Sequence, residues 1–107
     1  WSGQVAFPGG RNKASESDLD AAMRETREEV GLDLGDAASF ALAGRLPERP
    51  VTAKGALVPG LVLCPFVFVQ LAEETPPLRL QDDEVAAVCW AHEACLTPEH
   101  VRYSIEP

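Results

Sequence analysis

Leu19, Ala22, Met23, Thr26 and Val30 recur at helical spacing, which predicts an amphipathic helix with one buried face. Residues 15–18 supply N-cap candidates, and acidic residues crowd the first turn, where the helix dipole favours them. Gly31 fits the left-handed position that commonly ends a helix. Phe7-Pro8-Gly9-Gly10 is a turn signal before this helix. Elsewhere the pattern shortens. Residues 3–7 and 41–46 read as strands, and 61–71 as a buried strand with Pro65 at a bulge, edge or irregular point. Residues 84–90, rich in Val and Ala, read as one more. Residues 47–59 and 73–81, with their prolines, read as loops, and Thr97-Pro98-Glu99 as the start of a second helix. Strands mixed with two helices predict a layered α/β domain.

Composition narrows the partners. A length of 107 residues suits one domain with a modest core. A net charge of −8 argues against nucleic acid backbones and anionic membranes as partners. Residues 55–72 carry no charge, but Pro59, Gly60 and Pro65 interrupt them, which is unlike a membrane span. There is no signal-peptide pattern at the start. Three cysteines without a C-x-x-C predict free thiols in a reducing intracellular compartment, the cytoplasm foremost. Cys89, His92, Cys95 and His100 match no common zinc spacing.

The side of the helix away from the apolar stripe carries Arg24, Glu25, Glu28 and Glu29. Glu25, Glu28 and Glu29 stand at i, i+3 and i+4 and repel one another when nothing lies between them. Such a run is either a solvated face, with Arg24 bridging Glu28, or a ligand set for a hard divalent cation.

Wider spacing favours the second reading. Gly10 is followed after five residues by Glu16, and after seven more by the block Arg24-Glu25-Thr26-Arg27-Glu28-Glu29-Val30-Gly31-Leu32. This resembles the Nudix box of the Nudix hydrolases, G-x5-E-x7-R-E-U-x-E-E-x-G-U with U apolar, departing only at Thr26. The resemblance implies an α/β/α sandwich with a mixed sheet, and hydrolysis of a diphosphate linkage with Mg²⁺ or Mn²⁺. It implies Glu25, Glu28 and Glu29 as metal-binding and catalytic glutamates, with the Gly10 carbonyl as a further ligand. Glu16, Arg24 and Gly31 match positions that hold loop and helix together. A Nudix-fold binding module that senses a nucleotide without cleaving it is the alternative; such proteins tend to lose box glutamates, and all are present here.

The segment from Gly3 to Gly10 resembles the G-x3-F-P-G-G motif of the coenzyme A pyrophosphatases, which cut CoA to 3′,5′-ADP and 4′-phosphopantetheine. The expected partner is thus a small nucleotide diphosphate, CoA or acyl-CoA foremost, with ADP-ribose, another dinucleotide or a nucleoside triphosphate as alternatives. Arg45 and Arg49 are the chosen phosphate contacts, since an arginine fork suits phosphate. Glu84, beside Asp82 and Asp83, is a candidate extra acid. The chain starts at Trp1, whereas the family's domains carry a strand or more before the segment matching Gly3, so a domain shortened at its N-terminus is expected.

Overall fold

The sequence signals at both ends of the predicted helix are used. In a computed structural model, which describes residues 6–81, 85 and 87–91, α1 spans Asp18–Val30. Ser17 is its N-cap, in extended backbone, and its hydroxyl accepts the Asp20 N–H at 3.1 Å. Gly31 ends it at φ +82°, and its N–H bonds the Arg27 carbonyl. The next free carbonyls are met by a distant segment: Arg79 N–H reaches Val30 O at 2.8 Å and Gln81 N–H reaches Glu29 O at 2.9 Å. Residues 79–81 are therefore pinned to the C-terminal end of α1.

Among the described residues four strands follow: β1 (Phe40–Arg45), β2 (Arg49–Ala53), β3 (Ala56–Leu63) and β4 (Phe66–Gln70). β1 pairs antiparallel with β4 and β2 with β3, in two separate two-stranded sheets. The fold class is α/β, as expected, and strand 41–46 reappears as β1, shifted by one residue.

Two expectations are corrected. Residues 47–59 are not a loop but a hairpin, because Lys54 (φ +53°) and Gly55 (φ +79°) both take the left-handed backbone of a two-residue turn. Its prolines sit at irregular places: β2 advances from Pro50 to Thr52 while β3 runs from Val62 back to Leu57, bulging through Pro59 and Gly60 at φ +74°. Nor is 61–71 one strand. It breaks at Cys64-Pro65, so that β3 and β4 enter different sheets, and Pro65 O accepts the Leu46 N–H across the break. Residues 73–81 hold no regular element, as expected. Within 3–7 and 84–90 the described residues form no strand, and the rest of those segments, with the helix start at Thr97, lies outside the described residues.

Val30, Leu32 and Phe40 form the buried cluster, with Leu34, Phe68 and Leu80 packed against it. It joins the end of α1 to the β1–β4 pair. Of the predicted helical stripe, Val30 is buried and Leu19, Ala22, Met23 and Thr26 are half-buried. Thr26 is tolerated because its hydroxyl bonds the Ala22 carbonyl at 2.8 Å, leaving no unpaired polar group. The most buried helical side chain is Ala21, at 2 % exposure, which the periodicity missed. It stands one turn before Glu25, on the side where the preceding loop comes in. No described helix is long and apolar enough to cross a membrane.

Gly31 answers two constraints at once. Any other residue at φ +82° costs about 1–2 kcal/mol, and a Cβ there would lie 2.7 Å from Arg79 N. Gly31→Ala should therefore lower the urea midpoint of unfolding by at least that much stability, and should loosen the exchange protection of the Arg79 amide. A midpoint equal to that of the unsubstituted chain would contradict this account of the helix end.

Candidate metal and diphosphate site

The loop before α1 is tied to itself and then to the helix. Glu16 N–H bonds Lys13 O at 3.1 Å, while Lys13 N–H bonds the Glu16 carboxylate at 2.8 Å. Asn12 donates to Glu16 O and to the Asp18 carboxylate. Ser15 takes φ +67°, the sharp point of this turn.

Arg24 then draws the loop in. Its Nε and Nη2 meet both oxygens of Glu16, at 2.8 and 3.0 Å, and Nη2 also reaches the Arg11 carbonyl at 3.1 Å. Its Nη1 lies 2.7 Å from Glu25 Oε1 and 2.9 Å from Glu28 Oε1. The bidentate fork on Glu16 is the stronger kind of charge-assisted pair. Arg24 and Glu16 are mostly shielded from solvent, whereas Glu28 is more open.

This fixes where Gly10 lies. A Cβ on Gly10 would fall 2.5–2.8 Å from the carboxyl atoms of Glu25, closer than real Cβ contacts come. Position 10 must therefore be glycine for the backbone to pass this close to the carboxylate. Gly10, Glu25 and Glu28 are thus brought together, with Arg24 between the glutamates. Glu29 follows Glu28 on α1, half-buried, and its carbonyl accepts the Gln81 N–H.

The substrate candidates divide. Arg45 is paired with Glu48 and lies over the Phe66 ring, 5.7 Å from its centroid. Arg49 lines a largely apolar cleft of about 1050 Å³ that also reaches Phe7, Gly10, Ala21 and Phe66. Glu84 lies outside the described residues, as do Asp82, Asp83, His92, Cys95 and His100.

Sequence reading passed over one further group. Asp18, Glu48 and Cys64 bring their side-chain ligand atoms within 4.8 Å of one another, although Asp18 and Cys64 are 46 positions apart. The Cys64 thiol donates to Asp18 Oδ2 at 3.5 Å, and burial followed by this contact pushes its pKa up. The Asp18 carboxyl is held below its usual value, chiefly by the bond from Asn12 and next by Cys64. No local motif signals this meeting, since it depends on where the Cys64-Pro65 break falls.

A family profile described as "NUDIX domain" matches residues 1–103. An uncharacterised protein of Schizosaccharomyces pombe is 45 % identical over 92 residues, covering 84 % of this chain and 27 % of that protein. An RNA pyrophosphohydrolase of Halorhodospira halophila is 38 % identical over 85 residues, covering 75 % of this chain and 45 % of that protein. The chain thus spans less than half the length of either relative. No solved structure matches it significantly.

The Glu16 fork has a pH signature. Bonds from Arg24 first, and the Lys13 N–H second, hold its carboxyl at about 2 instead of 4.5. The unfolded chain takes up this proton more readily than the folded one. The pair's stabilisation is therefore complete above pH 4.5 and is lost as pH falls from there to about 2. A series of thermal melts through this window should show the loss, and Glu16→Gln should lower the Tm at neutral pH while flattening that part of the curve. An identical acid profile in the variant would remove the fork from the account.

Proposed function

The chain belongs to the Nudix domain family, and on that premise we propose that it is a divalent-metal-dependent pyrophosphohydrolase acting on the diphosphate linkage of a small nucleotide conjugate. The observation that carries this reading is the close seating of the Glu25 carboxylate on Gly10, with Glu28 held beside it. Hard carboxylate and carbonyl oxygens are the donors that Mg²⁺ and Mn²⁺ take, so the residues fit such an ion. Glu25, Glu28, Glu29 and the Gly10 carbonyl would hold it. A bound divalent ion supplies the positive charge that neutralises the diphosphate and makes a nearby water more acidic.

The chain's own part is to position and to move a proton. A carboxylate of this helix side, or Glu84, accepts the proton of the attacking water. One P–O bond forms from water, the anhydride P–O bond breaks, and two phosphate monoesters leave. No covalent enzyme intermediate is required. Glu16 and Arg24 act by holding the Gly10 backbone against the helix.

For the substrate, the proposal is CoA or acyl-CoA, supported by the Gly3 to Gly10 segment. Arg49 is the better phosphate contact, because it borders the cleft that reaches Gly10, while Arg45 is engaged by Glu48. A second reading comes from the bacterial relative, which is named an RNA pyrophosphohydrolase and so points to RNA. Net charge of −8 favours a small substrate over a long polyanion.

Four compounds assayed side by side with Mg²⁺ decide between these: CoA, dephospho-CoA, ADP-ribose and a 5′-triphosphorylated RNA oligonucleotide. A charge-assisted phosphate contact contributes about 1.5–3 kcal/mol, so kcat/KM for CoA should exceed that for dephospho-CoA by about tenfold or more. Arg49→Ala should erase most of that gap. Glu28→Gln should lower kcat on every substrate by about 10²–10⁴-fold. Equal turnover of CoA and dephospho-CoA, or a preference for the RNA, would overturn the CoA assignment. Full activity of Glu28→Gln would overturn the site.

A further inference from the structure

The Arg24 guanidinium faces two ways. Its Nε and Nη2 edge is bound to Glu16 and to the Arg11 carbonyl, which belong to the loop. Its Nη1 atom is bound to Glu25 at 2.7 Å and Glu28 at 2.9 Å, two of the carboxylates assigned above to a divalent ion. We propose that Arg24 is a built-in stand-in cation: Nη1 holds Glu25 and Glu28 around one positive atom, and a divalent ion binds by displacing that nitrogen while the Glu16 fork stays closed. This rests on the metal-site reading of the preceding section and adds how that site is kept formed and how it is loaded.

The physical argument has three steps. Glu25 and Glu28 lie one turn apart on α1, so without a cation between them their charges push the side chains apart. One nitrogen bonded to an oxygen of each removes that repulsion and fixes both carboxylates. A hard divalent ion draws carboxylate oxygens to about 2.1 Å, well inside the 2.7–2.9 Å at which Nη1 sits. Two cations sharing the same two oxygens repel, so the weaker partner must withdraw from at least one.

The asymmetry of Arg24 decides what withdraws. Glu16 is held by two parallel bonds and by the Lys13 N–H, and it faces away from the exchange. Nη1 makes one bond to Glu25, and its hold on the open Glu28 side chain is uneven, 2.9 Å to one oxygen and 3.5 Å to the other. The guanidinium is a rigid plane held on Glu16, so it is the Glu25 and Glu28 carboxylates that turn off Nη1 toward the ion, by rotation about their own outer torsions, and the loop stays closed with Gly10 beside Glu25. Arg24 is in this sense a positioning residue. Its competition weakens metal binding relative to an empty carboxylate pair, and in return the ligands need no rearrangement of the loop.

Side-chain NMR of the unsubstituted chain tests this without any turnover. Mg²⁺ is titrated in the absence of substrate, while the Arg24 Nε and Nη signals and the carboxyl carbons of Glu25 and Glu28 are followed together. The expected result is a carboxyl shift accompanied by a shift and faster hydrogen exchange at Nη1, with the Nε signal unmoved. Carboxyl shifts with Nη1 unchanged would show that the ion binds without displacing Arg24, overturning the exchange while leaving the metal site standing. Loss of the Nε signal together with Nη1 would overturn the closed fork. No carboxyl response to Mg²⁺ or Mn²⁺ would remove the metal site itself, and the exchange with it.

Discussion

A guanidinium carries five N–H donors in a rigid plane, and the Arg24 guanidinium directs them to Glu16, the Arg11 carbonyl, Glu25 and Glu28. The rest of the site depends on this. Residues 10–17 contain no helix or strand, and a segment of that kind takes a fixed path only if its polar groups are bonded to something rigid. Here the rigid partner is α1. Once Glu16 is clamped, the chain must return past the helix close enough that Gly10 meets the Glu25 carboxylate, and glycine is the residue that permits the approach. Lysine at position 24 could offer charge but not the planar fork that serves loop and helix simultaneously.

The other end of α1 is fixed by different physics. Its last carbonyls are bonded by Arg79 and Gln81, and Val30, Leu32 and Phe40 close a small apolar cluster with Phe68 and Leu80. The helix is thus anchored at its N-terminal side by charge and at its C-terminal end by backbone bonds and burial. The β1–β4 and β2–β3 pairs present many apolar side chains outward, including Leu42, Leu57, Leu63 and Val69. Between them and α1 lies the cleft that reaches Gly10 and Arg49, and its walls are mainly apolar.

Legibility in the sequence followed how local each determinant is. The limits of α1 could be read because Ser17 and Gly31 act on their immediate neighbours. The fork between Glu16 and Arg24 was expected only from the box resemblance, since a separation of eight residues through a loop has no periodicity. The β2–β3 hairpin was misread because the three prolines of residues 47–59 dominate the pattern, while the turn rests on the inconspicuous pair Lys54-Gly55. Ala21 was missed because it lies outside the predicted apolar stripe, although it is the most buried side chain of α1. The meeting of Asp18, Glu48 and Cys64 joins a helix start, a β1–β2 connection and a strand break, and so required the fold.

Among the described residues two groups of potential ligands stand out: the box glutamates with Gly10, and Asp18 with Glu48 and Cys64. The second group includes the Cys64 thiol, a soft donor that keeps its proton on the bond to Asp18, which disfavours a hard cation there. Mn²⁺ broadens the NMR signals of nearby amides steeply with distance, so substoichiometric Mn²⁺ on the full chain distinguishes the two directly. The account predicts broadening centred on Gly10 and on Glu25, Glu28 and Glu29, reversed by excess Mg²⁺. Broadening centred on Asp18, Glu48 and Cys64, or none at all, would contradict it.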